Sequence, residues 1–235
     1  MTTIEANLQT VHQRIDHACK LAGRDVTQVT LLAVSKTFGP ESVWAAVSAG
    51  QRVFGENYVQ EAVEKILALR ELAPDAALSW HCIGPLQSNK TRLVAEHFDW
   101  VQSVDRLKIA QRLSEQRPES LGPLQVCLQV NVDGGANKSG VAPAELPALA
   151  AAVAQLPRLR LRGLMCIPEP AEGLPAQRVA FDRARDLYDA LNRSGLAVDT
   201  LSMGMSDDLD AAIASGSTLV RVGRAIFGSR PPAPS

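Results

Sequence analysis

The run VTLLAVSKT, from Val29 to Thr37, is the segment that most clearly indicates the class of fold. Its mostly apolar residues precede Lys36, so the pattern predicts a strand that is buried on both faces and ends at an amine. Strands of this kind are typical of parallel sheets, in which helices cover both sides. The sequence around this run should therefore alternate between further strands and helices.

That alternation continues along the chain and gives about eight predicted strands, the number in a closed (β/α)8 barrel. The predicted strands are 29–37, 52–58, 78–84, 100–104, 124–132, 159–167, 200–205 and 219–226. Helical patterns that stop at glycine or before proline lie between them, at 41–49, 59–72, 106–116, 144–155, 176–192 and 208–214.

An amphipathic helix is predicted before the first strand. Apolar residues recur at helical spacing from Ile4 to Cys19, and Gly23 is placed to end the helix. We therefore predict a single (β/α)8 TIM barrel with an extra N-terminal helix, forming one domain over residues 1–230. An open doubly wound sheet has the same alternation and differs only in closure. The Pro-rich tail, 231–235, is expected to be disordered.

Composition argues against several classes of partner. The 235 residues include 24 Lys and Arg against 25 Asp and Glu, for a formal net charge of −1. This balance favours neither nucleic acid nor an anionic membrane surface. No segment has the ~20 consecutive apolar residues of a membrane-spanning helix, and the N-terminus lacks the apolar stretch of a signal peptide. We expect a cytoplasmic protein and a monomer.

The four cysteines are spread widely along the chain, at Cys19, Cys82, Cys127 and Cys166. They form no CxxC pair and have no histidine at the spacing of a zinc site. We therefore predict no metal site and interpret them as small core residues of a reducing compartment.

Lys36 is the first candidate for chemistry. An amine at the edge of a core loses hydration, which lowers its pKa and frees the form that condenses with carbonyl groups. Alternatively, the aliphatic stem covers the strand end while the ammonium stays in water. This segment alone favours the second arrangement.

Polar groups at predicted strands seven and eight reverse that preference. After strand seven, Ser206 places a hydroxyl at a helix N-terminus, where the two could bind an anion. Alternatively, Ser206 or Asp207 only caps the helix. On strand eight, Arg221 alternates with apolar residues and should point inward, where its charge needs an acid or a ligand acceptor. Gly223 allows close approach of backbone to phosphate. Together with Lys36, these groups predict a site for a phosphorylated aldehyde, with pyridoxal 5′-phosphate (PLP) the strongest candidate.

Several segments of the chain resemble a known family. They are LLAVSKT, FGENYVQE, WHCIGPLQSNK, the KSG at 138–140, RGLM, LSMGMSDD and VRVGRAIFG, which together extend from about residue 31 to 228. These segments resemble the YggS/PROSC family of pyridoxal phosphate homeostasis proteins. The resemblance implies a barrel like the N-terminal domain of alanine racemase, which binds PLP without established catalytic turnover.

The resemblance also implies roles for individual residues at the reactive end of PLP. Lys36 would form a Schiff base with the cofactor, and Arg221 would face the pyridine nitrogen. Asn57, in the GENYVQE segment, would approach the cofactor.

At the phosphate end, the resemblance implies that Ser206, Gly223 and the backbone of Arg224 bind the phosphate. None of these residues is assigned a catalytic role. The partners implied are PLP itself and apo forms of PLP-dependent enzymes. The protein would deliver PLP to these enzymes or buffer it for them.

Two enzymatic functions use related constellations. A PLP-dependent amino-acid racemase of the alanine racemase type needs a further β domain, for which little chain follows strand eight, and a tyrosine base. The two tyrosines are Tyr58 and Tyr188, the latter on a predicted outer helix. A Schiff-base aldolase acting on a phosphorylated sugar needs an acid–base partner beside Lys36, and the sequence shows none.

His81 and Lys90 have open roles at this point. A lone histidine on a strand is more often a hydrogen-bonded core residue than a ligand. Lys90 fits a surface charge at the following helix. Neither residue is assigned to the site.

Overall fold

The computed structural model describes residues 2–135 and 139–229. Within these ranges, eight parallel strands close into a barrel in chain order. The strands are β1 Thr30–Val34, β2 Val53–Glu56, β3 Ser79–Cys82, β4 Trp100–Val104, β5 Leu124–Gln129, β6 Leu159–Met165, β7 Thr200–Ser202 and β8 Leu219–Val222. Because β8 pairs with β1, with Leu32 opposite Arg221, the sheet is closed and the open doubly wound alternative is wrong.

A helix follows each strand, and the helices cover the outside of the barrel. They are α1 Thr3–Leu21, α2 Pro40–Ser48, α3 Val59–Leu72, α4 Thr91–His97, α5 Leu107–Gln116, α6 Leu146–Ala154, α7 Leu174–Arg193, α8 Leu209–Ala214 and α9 Arg224–Phe227. No helix in the described ranges is long and apolar enough to cross a membrane. The predicted barrel is confirmed; residues 231–235, expected to be disordered, lie outside the described ranges.

The extra N-terminal helix is confirmed as α1. The Thr2 hydroxyl accepts a hydrogen bond from the Glu5 N–H, and the Glu5 carboxylate accepts one from the Thr2 N–H, so a capping box begins the helix. One face of α1 is buried and includes Val11 and Ile15. Gly23 follows the helix with a φ of 64°, a left-handed conformation that suits glycine.

The predicted eighth strand is too long at its C-terminal end. Strand β8 ends at Val222, and residues 224–227 form α9 instead of continuing the strand. The apolar pattern of VRVGRAIFG misled the prediction because short apolar runs do not distinguish a strand from a helix. In α9, Ile226 is fully buried and Phe227 stacks on Phe38, whose loop leads away from Lys36.

The prediction that the four cysteines are core residues is confirmed. All four cysteines are free and buried. Burial raises the pKa of Cys82, Cys127 and Cys166 to about 12 in each case. Their thiols therefore remain protonated near neutral pH and act as small core groups.

Candidate functional site

A cavity of about 500 Å³ opens at the C-terminal ends of the strands. Its apolar wall includes Val34, Phe38, Ile83 and Ile167. All six residues predicted from the sequence line this one cavity, namely Lys36, Asn57, Ser206, Arg221, Gly223 and Arg224. Arg221 lies on β8 itself, and the other five come from the segments after β1, β2, β7 and β8, which the closure of the barrel brings to the same face.

Lys36 lies just beyond the end of β1 and is partly exposed. It is the one lysine among the described residues that line the cavity. Ser35 before it is fully buried, so the chain leaves the core at Lys36. The side chain therefore occupies the position at the edge of the core that the sequence predicted.

Arg221 is a buried cation, with 4% of its surface exposed. Its Nη1 donates to Ser202 Oγ at 2.7 Å and its Nη2 to the Cys166 carbonyl at 2.8 Å. No carboxylate of the described residues forms an ion pair with it. Desolvation lowers the pKa of Arg221, yet a guanidinium stays protonated in proteins. A buried guanidinium whose hydrogen-bond partners in the described ranges are neutral is suited to an acceptor supplied by a ligand.

A chain of hydrogen bonds runs from Arg221 through the barrel. Ser202 Oγ donates to Gln102 Oε1 at 2.6 Å, and Gln102 Nε2 lies 2.8 Å from His81 Nδ1. His81 Nε2 lies 3.1 Å from Ser79 Oγ. Since burial lowers the pKa of His81 to about 3, the ring is neutral. Its Nδ1 then accepts from the Gln102 amide, and its proton is on Nε2.

The core interpretation of His81 is therefore supported by its surroundings. The ring is 2% exposed and stacks on Trp100 with centroids 4.9 Å apart. Sequence reasoning did not single out Gln102 and Ser202, which link His81 to Arg221. The available signal was that Gln102 and Ser202 are polar residues inside predicted strands of the barrel, β4 and β7.

Ser206 lies in the turn between β7 and α8. The alternative that Ser206 or Asp207 caps α8 is not supported, because Asp208 is the N-cap residue. The Asp208 carboxylate accepts from the Met205 N–H at 2.6 Å. The Ser206 hydroxyl has no hydrogen-bond partner among the described residues. Its carbonyl accepts from Arg14 of α1, which also pairs with Asp210. The extra helix thus anchors the turn that presents Ser206 to the cavity.

The backbone at Gly223 lies open to the cavity at the start of α9. A Cβ at Gly223 would lie 3.1 Å from the Val34 carbonyl oxygen, which is too tight for an ordinary contact. Arg224 follows, and its side chain pairs at 3.2 Å with Asp207. Because both side chains of this pair are highly exposed, it adds little stability.

Asn57 carries an unpaired polar atom. Its Oδ1 is buried and has no hydrogen-bond partner in the described structure. An unpaired buried acceptor costs about 1–3 kcal/mol. Since Asn57 also lines the cavity, a ligand with a donor group would remove this cost.

The fold and the site together define the class of protein. The sequence model of the family described as "Alanine racemase, N-terminal domain" matches residues 4–231. The structure of alanine racemase from Corynebacterium glutamicum superposes with a TM-score of 0.67 at 20% identity, covering 99% of this chain and 62% of the racemase. By fold, this is a barrel of the alanine racemase N-terminal type.

More similar proteins specify the family. The pyridoxal phosphate homeostasis protein of Pseudomonas aeruginosa is 61% identical over 230 residues, which cover 98% of this chain and 97% of that one. PipY of Synechococcus elongatus, in a structure with PLP bound, has a TM-score of 0.82 at 36% identity and covers 96% of this chain and 100% of its own. The chain belongs to the family of pyridoxal phosphate homeostasis proteins, as the sequence resemblance predicted.

Proposed function

We propose that this protein binds PLP, holds it as a Schiff base on Lys36, and buffers or delivers it to PLP-dependent apo-enzymes. The observation that carries the proposal is a single cavity that combines a lysine with a buried arginine without a carboxylate partner in the described ranges. The family relationship to pyridoxal phosphate homeostasis proteins supports the same ligand. We further propose one PLP-binding domain over residues 1–230, acting in the cytoplasm as a monomer.

The residues of the cavity fit PLP at each end. The Asn57 Oδ1 and the Ser206 hydroxyl, which have no hydrogen-bond partner within the described ranges, are polar groups available to a ligand. Gly223 leaves its backbone accessible where a side chain would crowd Val34. We propose that Ser206, Gly223 and the backbone of Arg224 bind the phosphate.

Bound PLP would supply an aldehyde and a pyridine ring. The Lys36 amine would add to the aldehyde carbon, a C=N bond would replace the C=O bond, and the oxygen would leave as water. Arg221 would donate to the pyridine nitrogen. Because guanidinium keeps its own protons, it would leave that nitrogen unprotonated and the ring a weaker electron sink. A weak electron sink is compatible with storage of PLP, although racemases of this fold also place an arginine at the pyridine nitrogen.

The positions of the tyrosines favour a holding function over racemisation. Within the described ranges, neither tyrosine lines the cavity. Tyr58 precedes α3 and is 52% exposed, and Tyr188 on α7 donates to the Val198 carbonyl at 2.9 Å. A racemase needs a second base on the far face of the ring.

A transfer experiment tests the function. The protein is loaded with PLP, freed of unbound cofactor, and mixed with a PLP-dependent apo-enzyme. We expect the apo-enzyme to regain activity, and we expect chiral chromatography across a panel of amino acids to detect no turnover by the loaded protein alone. Sustained racemisation that is lost in Lys36→Ala would replace the carrier function with an enzymatic one.

Ser206→Ala is expected to weaken PLP binding by about tenfold, the cost of one hydrogen bond to a charged group. Pyridoxal, which lacks the phosphate, should bind both proteins equally well. Fluorescence titration of each ligand against both proteins measures the effect. An equal loss for the two ligands would show that Ser206 only shapes the turn before α8.

A further inference from the structure

A buried ionic cluster lies directly behind Lys36. Lys65 of α3 is 2% exposed, and its Nζ lies 2.6 Å from Glu56 Oε1 and 2.9 Å from Glu61 Oε1. Glu56 is fully buried, and its burial raises the pKa of its carboxyl group while Lys65 opposes that shift. Ions in such positions carry a desolvation cost of several kcal/mol.

This cluster holds the backbone on both sides of Lys36. Lys65 Nζ donates to the Ser35 carbonyl at 2.9 Å, and the Ser35 hydroxyl donates to Glu56 Oε1 at 2.6 Å. On the other side, the Thr37 N–H donates to Glu61 Oε1 at 2.7 Å. The residues before and after Lys36 are therefore tied to the same three charged side chains.

The held segment is strained. Thr37 has a φ of 69°, a left-handed conformation that is strongly unfavourable for a β-branched residue. Thr37 Oγ1 and Glu56 Oε2 are both buried without hydrogen-bond partners in the described structure. Strain and incomplete pairing of this kind persist where the surrounding structure enforces them, and they concentrate at functional sites.

The three charged side chains are not needed to hold α3 against the barrel. The helix already buries Ala62, Ile66 and Leu69 completely against the barrel. The contacts that the ions add are those to Ser35 and Thr37, the two neighbours of Lys36.

We propose that Glu56, Glu61 and Lys65 are positioning residues for Lys36: they fix the backbone at Ser35 and Thr37 so that the lysine Nζ meets the aldehyde carbon of its ligand. This inference rests on the proposed function. A fixed attacking group raises the effective concentration of the amine at the reacting carbon. Loss of the cluster should therefore weaken the covalent step and leave contacts to ring and phosphate intact.

Glu61 is the residue best suited to a test. It bonds the Thr37 N–H directly, and its side chain is 35% exposed, so its replacement disturbs the core less than replacement of Glu56 or Lys65. Glu64, exposed on the same helix, provides the matched control variant Glu64→Ala.

A comparison of two ligands distinguishes a role in positioning Lys36 from a general contribution to ligand binding. PLP forms the imine, whereas pyridoxamine 5′-phosphate has the same ring and phosphate but an amine in place of the aldehyde. For Glu61→Ala we expect the dissociation constant of PLP to rise about tenfold, the loss of one hydrogen bond to a charged group. Pyridoxamine phosphate should bind as it does to the wild type, and Glu64→Ala should match the wild type with both ligands.

Glu61→Gln keeps the acceptor for Thr37 but loses the charge, so we expect a smaller loss of roughly threefold, again for PLP only. This variant carries the test if Glu61→Ala does not fold. Equal losses for both ligands, or an unchanged affinity for PLP, would overturn the positioning role. If the wild-type protein forms no imine absorbance with PLP, the proposed function itself fails. If the wild type and the variants form the imine equally well, only the positioning role fails.

Discussion

Lys36→Ala is expected to abolish the yellow imine absorbance that PLP develops with the wild-type protein. The variant removes the amine that would form the C=N bond, whereas its aliphatic stem contributes only partly buried surface. The fold should persist, and PLP should still bind more weakly through the phosphate and ring contacts. Absorbance titration with PLP measures the band, and circular dichroism verifies the fold.

Lys20→Ala is the control for this experiment, because Lys20 is exposed on α1 and is not one of the residues that line the cavity. It should give the wild-type spectrum. Full imine absorbance in Lys36→Ala would assign the bond to another amine and remove the main support for the proposed site.

His81→Asn is expected to reduce the loss of stability in acid. In the folded protein the pKa of His81 is about 3, compared with about 6.5 for an unfolded chain. The unfolded state therefore binds more protons below pH 6.5, so the wild type loses stability as pH falls from 6.5 towards 3. Between pH 7 and pH 4 this amounts to about 3 kcal/mol.

The asparagine variant keeps an acceptor near the Nδ1 position for Gln102 but has no group that titrates there. Urea unfolding at pH 7 and pH 4 gives the free energy of unfolding of both proteins. The variant is expected to be less stable at pH 7, since it loses the stacking on Trp100, but its decrease towards pH 4 should be about 3 kcal/mol smaller. Parallel decreases would mean that His81 titrates normally and that its ring is not enclosed.

The barrel was predictable because its signals are local. Alternating strand and helix patterns, with glycine and proline at helix ends, identify the class of fold from short windows of sequence. Closure depends on the pairing of β8 with β1, which no local pattern encodes. The end of β8 was missed for a related reason: the exposure of Arg224 and Ala225 that marks α9 appears only in the folded chain.

The residues that line the cavity were predictable because strand ends of a barrel share one face, so Lys36, Ser206 and Arg221 could be grouped without coordinates. Their supporting contacts were not predictable. Ser202 and Gln102 are 100 residues apart in the chain and meet inside the barrel. Lys65 looks like an ordinary helix surface charge in the sequence, and only the fold shows that it is buried.

Trapping of the bond tests most directly whether Lys36 binds PLP covalently. The protein is mixed with PLP, reduced with borohydride, digested and analysed by peptide mass spectrometry. We expect one reduced PLP adduct, located on the peptide that contains Lys36 and absent when pyridoxamine 5′-phosphate replaces PLP. A reduced adduct on a different lysine, or no adduct on a protein that is folded and exposed to PLP, would contradict the account.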